Sequence, residues 1–101
     1  MRKLIYISVL LFITVALSAQ VYYVSPRGSE SNTGLDSSST GAFLQVQTGF
    51  DAVEAGDTLY LMGGTHYTEG SVIMSNSGTE GNWIYILGYP DKDVIINCEN
   101  N

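Results

Sequence analysis

The chain has 101 residues, with 4 basic against 10 acidic side chains, one histidine and one cysteine. That balance argues against nucleic acid as a partner, because such affinity comes largely from Lys and Arg neutralising phosphates, and equally against an anionic membrane surface. Cys98 stands alone and cannot close an internal disulfide.

The first residues read as an export signal. Arg2 and Lys3 give a positive start, Leu4 to Leu17 is an apolar run broken only by Tyr6, Ser8 and Thr14, and small residues follow at Ala16, Ser18 and Ala19. The run is short of the roughly 20 apolar residues that a spanning helix needs, so residues 1–19 are expected to be a signal peptide, cut between Ser18 and Gln20. The mature part, 20–101, keeps Arg27 and Lys92 against all 10 acids, a charge of 2 − 10 = −8. It is expected to be exported and soluble, and it would repel an acidic polymer unless cations intervened. A unit of this size buries only about 60–65% of its unfolded surface and is marginal without a staple, so the chain is expected to be small and weakly stable or part of something longer.

Val21–Val24 is a short β-type run, ended by Pro26 and Gly28. Residues 25–41 are Ser-, Gly-, Thr- and Asn-rich with almost nothing apolar, which reads as an exposed loop with Glu30 and Asp36 solvated. The helix signal comes next. Phe43, Val46, Phe50 and Val53 fall on one stripe of a 3.6-residue period, while Gln45, Gln47, Asp51 and Glu54 face away. Gly49 inside it should cost about 1 kcal/mol relative to alanine, and Gly56 ends it.

Beyond Gly56 the pattern is of short strands punctuated by glycine: Thr58–Met62, Ser71–Met74, Trp83–Leu87 and Val94–Asn97. The corners between them are GGTHYTEG, NSGTEGN and YPDKD. An antiparallel meander would show tight two-residue turns of the Asn-Gly or Asp-Gly kind, and none is present. A parallel β-helix explains the rhythm better. Leu59 and Leu61 would stack near Ile84 and Ile86, and Ile73 near Ile95, with strands about 4.8 Å apart. The first coil of such a stack exposes unpaired backbone and an apolar end, and the helix is the right size to cover both.

The segments YYVSPRGSESNTG, FLQVQTGFDAVEAGDTLYLMGGTHYTEG and SGTEGNWIYILGYPDKDVII resemble the N-terminal region of secreted right-handed parallel β-helix proteins of the pectate-lyase-like superfamily. The matching residues are Tyr23-Val24-Ser25, Gly28-Ser29, Asn32, Gly56-Asp57-Thr58, Gly64-Thr65, Ser77-Gly78-Thr79, Gly81-Asn82 and Tyr89-Pro90. Gly49, Trp83 and Asn97-Cys98 depart from the pattern. The resemblance implies an all-β fold, a right-handed parallel β-helix with an N-terminal cap helix and about two coils. The preferred crossover hand agrees. It also implies an exported polysaccharide-active protein, with the substrate groove on coils beyond these residues and the chain a truncated portion. A non-catalytic glycan-binding surface module is the alternative, and an inactive fragment is a third.

Lyases of this superfamily abstract a proton α to a uronic carboxylate while calcium, which wants several converging oxygens, bridges substrate and aspartates. No such convergence is evident here, so no catalytic residue, metal ligand or resident cofactor is assigned. Ca²⁺ enters only for a complete lyase-like protein, and polysaccharide is the expected partner. Asp57 is expected to cap its turn through backbone amides. Asp91, Lys92 and Asp93 read as a solvated turn, Glu69 and Glu80 as separate corners, and Asp51 and Glu54 as the outer face of the helix. His66 has no second ligand at metal spacing and is expected to be a corner residue whose replacement by Gln leaves folding nearly unchanged. Tyr60, Tyr67, Tyr85 and Tyr89 would form a ladder along the stack or a sugar-stacking surface. Cys98 would be a small buried residue of its coil.

Overall fold

The computed structural model describes residues 19–90 and 92–98, so the expected signal segment, apart from Ala19, lies outside the described residues, as does Asp91. The elements in chain order are β1 (Val21–Val24), α1 (Val46–Ala52), β2 (Thr58–Leu61), β3 (Gly64–Tyr67), β4 (Tyr85–Gly88) and β5 (Val94–Asn97). All strand pairing is parallel. One sheet has the order β1-β2-β4 and the other pairs β3 with β5.

The register defines the coils. Tyr22, Leu59 and Ile86 share one row, and Val24, Leu61 and Gly88 the next. Inter-strand bonds run from one coil to the next, as from Met62 N–H to the Val24 carbonyl (2.9 Å) and Tyr89 N–H to the Leu61 carbonyl (2.9 Å). The stacked β-helix is therefore as expected, but its period is longer. Thr58 pairs with Tyr85, a step of 85 − 58 = 27 residues, and Gly64 with Val94, a step of 94 − 64 = 30. Leu59 thus meets Ile86 and not Ile84. A two-residue slip preserves which side chains face inward, so the apolar pattern alone does not distinguish the two registers.

The second expected strand is in the wrong place. Ser71–Met74 forms no strand; β3 is Gly64–Tyr67, within the stretch read as a corner. The physical reason is visible at Ile73. Its N–H donates to Gln47 Oε1 (2.8 Å) and its carbonyl accepts from Gln47 Nε2 (2.8 Å). One side-chain amide of the helix thus satisfies the backbone groups that a neighbouring strand would have taken. Ile73 accordingly stays 63% exposed and stacks on nothing, while Thr65 holds the place beside Ile95.

The cap is built as the apolar stripe requires, although the regular helix is short. Phe43 lies just before α1, in an isolated parallel bridge with Val24. Phe43, Val46 and Val53 join Val24, Leu59 and Leu61 in one buried cluster, with Phe50 packed against it. Gly49 is not a defect here. A Cβ at that position would lie 2.7 Å from Val24 Cγ2 and 2.9 Å from both Leu59 methyls. The missing side chain is what allows the helix to approach the first two strands.

The polar loop also departs from expectation. It is ordered by hydrogen bonds in place of apolar burial. Tyr23 N–H donates to the Gly34 carbonyl (2.8 Å), Phe43 N–H to the Tyr23 carbonyl (2.9 Å) and Ser25 N–H to the Phe43 carbonyl (2.8 Å). These bonds cover the free edge of β1. Asn32 Nδ2 crosses the loop to the Ala42 carbonyl (2.8 Å).

His66 lies on β3 opposite Ile96, 2% exposed, with Nε2 2.8 Å from the Met62 carbonyl. A carbonyl only accepts, so Nε2 carries the proton there, and Nδ1 is buried with no partner among the described residues. The expected corner placement is corrected, because inward-facing strand positions alternate and His66 takes one of them.

Two measurements follow from this packing. Gly49→Ala, which gains helix propensity on an isolated helix, should destabilise the protein by about 1–3 kcal/mol through overpacking against Val24 and Leu59, read from denaturant unfolding. His66→Gln should lower stability by about 1–2 kcal/mol through its displaced Met62 contact and a second buried amide group. Unchanged unfolding midpoints would contradict these placements.

Candidate functional site

The residues singled out as chemical candidates are placed mostly by structural duties. Asp57 is buried, and its carboxylate accepts from Gln20 N–H (Oδ1, 2.9 Å) and Glu54 N–H (Oδ2, 2.8 Å). It ties the end of the cap to the start of β1, which is the expected turn-capping role with one long-range bond added. Glu30 was expected to be solvated. It is exposed, and in addition Oε2 accepts from Leu44 N–H (3.0 Å) and Gln45 N–H (2.8 Å), and Oε1 from the Thr48 hydroxyl. A carboxylate is favoured where a helix begins with free N–H groups, so Glu30 pins the loop to α1. Asp36 accepts from the Ser38 hydroxyl at 2.6 Å, and that bond holds its carboxyl below the usual carboxylate range.

The remaining acids do not converge. Among the described residues there is no group of three or more His, Cys, Asp or Glu that could hold a metal ion. Glu69, Glu80 and Asp93 are exposed, and the Asp93 backbone carbonyl accepts from Gly64 N–H (2.9 Å). Cys98 is exposed. No described strand lies beyond β5 to cover it, and the same is true of the inward-facing Ile86 (36% exposed) and Ile96 (41%).

The tyrosines divide into two sets. Tyr23 and Tyr60 stack across β1 and β2 with centroids 5.8 Å apart, and Tyr89 meets Tyr60 edge-on at 5.6 Å. This is the expected ladder on the outer face of the sheet, with Tyr23 an unforeseen member; each such pair adds about 0.5–1.5 kcal/mol beyond area burial. Tyr67 and Tyr85 stand apart, 69% and 51% exposed.

Tyr89 also borders an open groove of about 640 Å³ whose lining includes Arg27, Lys92, Asp93, Ser37 and Ser39. The Gly63-Gly64 corner makes its floor. A Cβ on Gly63 would lie 2.8 Å from Lys92 Cβ, and one on Gly64 would lie 3.1 Å from Pro26 Cγ. The aliphatic stem of Lys92 therefore lies along bare backbone on one side, and Pro26 brings Arg27 to the other. Sequence reading did not join these two cations, because 65 positions (92 − 27) separate them and neither belongs to a motif.

Comparison with known proteins fits this architecture. No protein-family model matches the chain. A curated relative, "Pectate lyase PEL9" of Emericella nidulans, is 35% identical over 100 residues, covering 98% of this chain and 23% of the relative. Among solved structures, pectate lyase Pel9A superposes with a TM-score of 0.64 at 24% identity, over 88% of this chain and 23% of that one. A rhamnogalacturonan lyase gives 0.63 at 27% identity, over 77% and 22%. XylC, solved in complex with xylose, gives 0.63 at 21% identity, over 74% and 11%. The chain spans about a quarter of the length of the curated relative it matches. With capped parallel coils, in-register stacking and likeness along nearly its whole length, the chain has a parallel β-helix fold and resembles a short part of pectate-lyase-like proteins of that fold.

Proposed function

We propose that this chain supplies the cap and first coils of an exported, polysaccharide-active β-helix protein of lyase-like chemistry, and that its own residues carry the fold and contribute no complete catalytic site. The observation that carries the reading is the 35% identity to a pectate lyase over 98% of the chain, together with side chains whose duties are structural. Asp57 holds two backbone amides, Glu30 holds the helix start, and His66 is buried against Met62. The apolar run behind Arg2 and Lys3 supports export.

A non-catalytic glycan-binding role is a second reading, favoured by the exposed tyrosines and by the groove beside Tyr89. The two readings separate in a replacement experiment. Residues 20–98 are exchanged for the matching coils of pectate lyase PEL9, and unsaturated products from polygalacturonate with calcium are followed by ultraviolet absorbance. The chimera is expected to fold and to retain lyase activity, whereas the chain by itself is expected to release no unsaturated product. A folded chimera without activity would oppose the lyase-like reading, and turnover by the chain alone would overturn the absence of a complete site.

A further inference from the structure

Just before β1 the chain makes a contact that strand pairing does not require. Gln20 N–H donates to Asp57 Oδ1 (2.9 Å), and the Gln20 carbonyl accepts from Thr58 N–H (3.0 Å). The backbone of this one residue is held on both sides, by Asp57 and by the first residue of β2. Ala19, the residue before it, is exposed, and no hydrogen bond to a described residue holds it.

Asp57 is an uncommon partner for a plain backbone amide. It is 6% exposed, and its carboxylate has the Gln20 and Glu54 N–H groups but no cationic side chain among the described residues. A carboxylate taken out of water is costly unless a positive charge accompanies it. Arg27 and Lys92, the two cationic side chains of the described residues, line the groove beside Tyr89, and Asp57 does not. Asp57 also holds more than the turn. Its N–H donates to the Glu54 carbonyl (2.9 Å), and its own carbonyl accepts from Tyr85 N–H (3.0 Å) at the start of β4. Charge compensation at this one residue therefore bears on the end of the cap and on all three strands of the β1-β2-β4 sheet.

The sequence can supply the missing charge. Ser18 and Ala19 follow the apolar run of the export signal, and a signal peptidase cutting after Ala19 leaves Gln20 first. In that hydrolysis the Ala19–Gln20 amide bond breaks and water gives its hydroxyl to the Ala19 carbonyl carbon. The remaining proton of water and the proton of the new acid go to the Gln20 nitrogen. The leader keeps a carboxylate, and the mature chain begins with an α-amine that titrates at about 8 and is cationic at neutral pH. The nitrogen that now faces Asp57 as a neutral amide becomes an ammonium. A cut after Ser18 instead leaves that amide neutral and places the charge one residue further out.

We propose that processing at the Ala19–Gln20 bond completes the fold: the new Gln20 ammonium pairs with the buried Asp57 carboxylate and locks the cap, β1 and β2 together. The proposal rests on the export reading of residues 1–19. A charge-assisted bond is roughly twice as strong as a neutral one, so the lock closes only after the leader has gone.

The test begins with the full chain expressed with its own leader in an exporting host, followed by intact mass and N-terminal sequencing of the product. The product should start at Gln20 with its amine free. A start at Ala19 or beyond Gln20, or a pyroglutamyl start in which that amine has closed on its own side chain, overturns the proposal and leaves the export reading in place. Retention of the intact leader overturns both. The charge is read in the processed chain carrying Lys92→Arg, where the Gln20 amine is the one amine in residues 20–101. Acetylation then keeps the N–H donor, places a carbonyl where Ala19 had one and removes the charge. It should lower the folded-to-unfolded ratio about fivefold in denaturant unfolding, and should change nothing when Asp57→Asn is also present. No loss on acetylation, or an equal loss with Asp57→Asn, would overturn the ion pair. The start site and the acetylation loss decide the proposal even where Asp57→Asn does not fold.

Discussion

The close approach of the cap helix to the first two strands is the contact on which the rest of this structure depends. A parallel stack buries each coil with the next, so its first coil has apolar side chains and backbone groups with nothing to cover them. Here α1 lies directly over Val24 and Leu59, near enough that a single methyl at Gly49 would collide with both. Leu59, Val24, Val46 and Val53 are fully buried as a result, each side chain contributing roughly 1.5–3 kcal/mol by its removal from water. The loop before the helix completes the cover by bonding the free edge of β1, and Glu30 and Asp57 fasten loop, helix and strand to one another. The exposure of inward-facing residues then rises along the stack, from Leu59 at 0% to Ile86 at 36%.

Polar side chains perform much of the fastening that a larger core would supply by itself. The Gln47 amide takes the place of a strand partner for Ile73, and Asn76 Nδ2 donates to the carbonyls of Asp51 (3.2 Å) and Val53 (2.8 Å) at the end of α1. These bonds hold residues 73–76 against the helix and leave them outside the sheets. The outer face of the β1-β2-β4 sheet carries the tyrosine stack, which adds stability and ends at the open groove beside Tyr89.

The architecture was legible in the sequence where periodicity was strong. The stripe of Phe43, Val46, Phe50 and Val53 foretold a lid, and the glycine-punctuated strands foretold parallel coils; both are present. The misplaced strand shows the limit. Ser71-Val72-Ile73-Met74 looks more strand-like than Gly64-Thr65-His66-Tyr67, but the backbone partner offered by Gln47 decided the first and pairing with β5 decided the second. The coil length was read short because a slip of two residues leaves the inward set unchanged. Of the chemical candidates, Asp57 was legible since a carboxylate beside a helix-ending glycine has few other uses. Glu30 was not, since its partners Leu44 and Gln45 lie 14 and 15 residues away and carry no signal in their side chains. The meeting of Arg27 and Lys92 depends on the coil geometry itself.

The account stands or falls on parallel stacking in this register. Nuclear Overhauser contacts across the strands of the β1-β2-β4 sheet test it most directly. The account expects contacts of Leu59 with both Tyr22 and Ile86, and of Leu61 with both Val24 and Gly88, all in the same strand direction. Contacts in reversed order, with Leu61 opposite Tyr22 or Leu59 opposite Gly88, would show antiparallel pairing and contradict it.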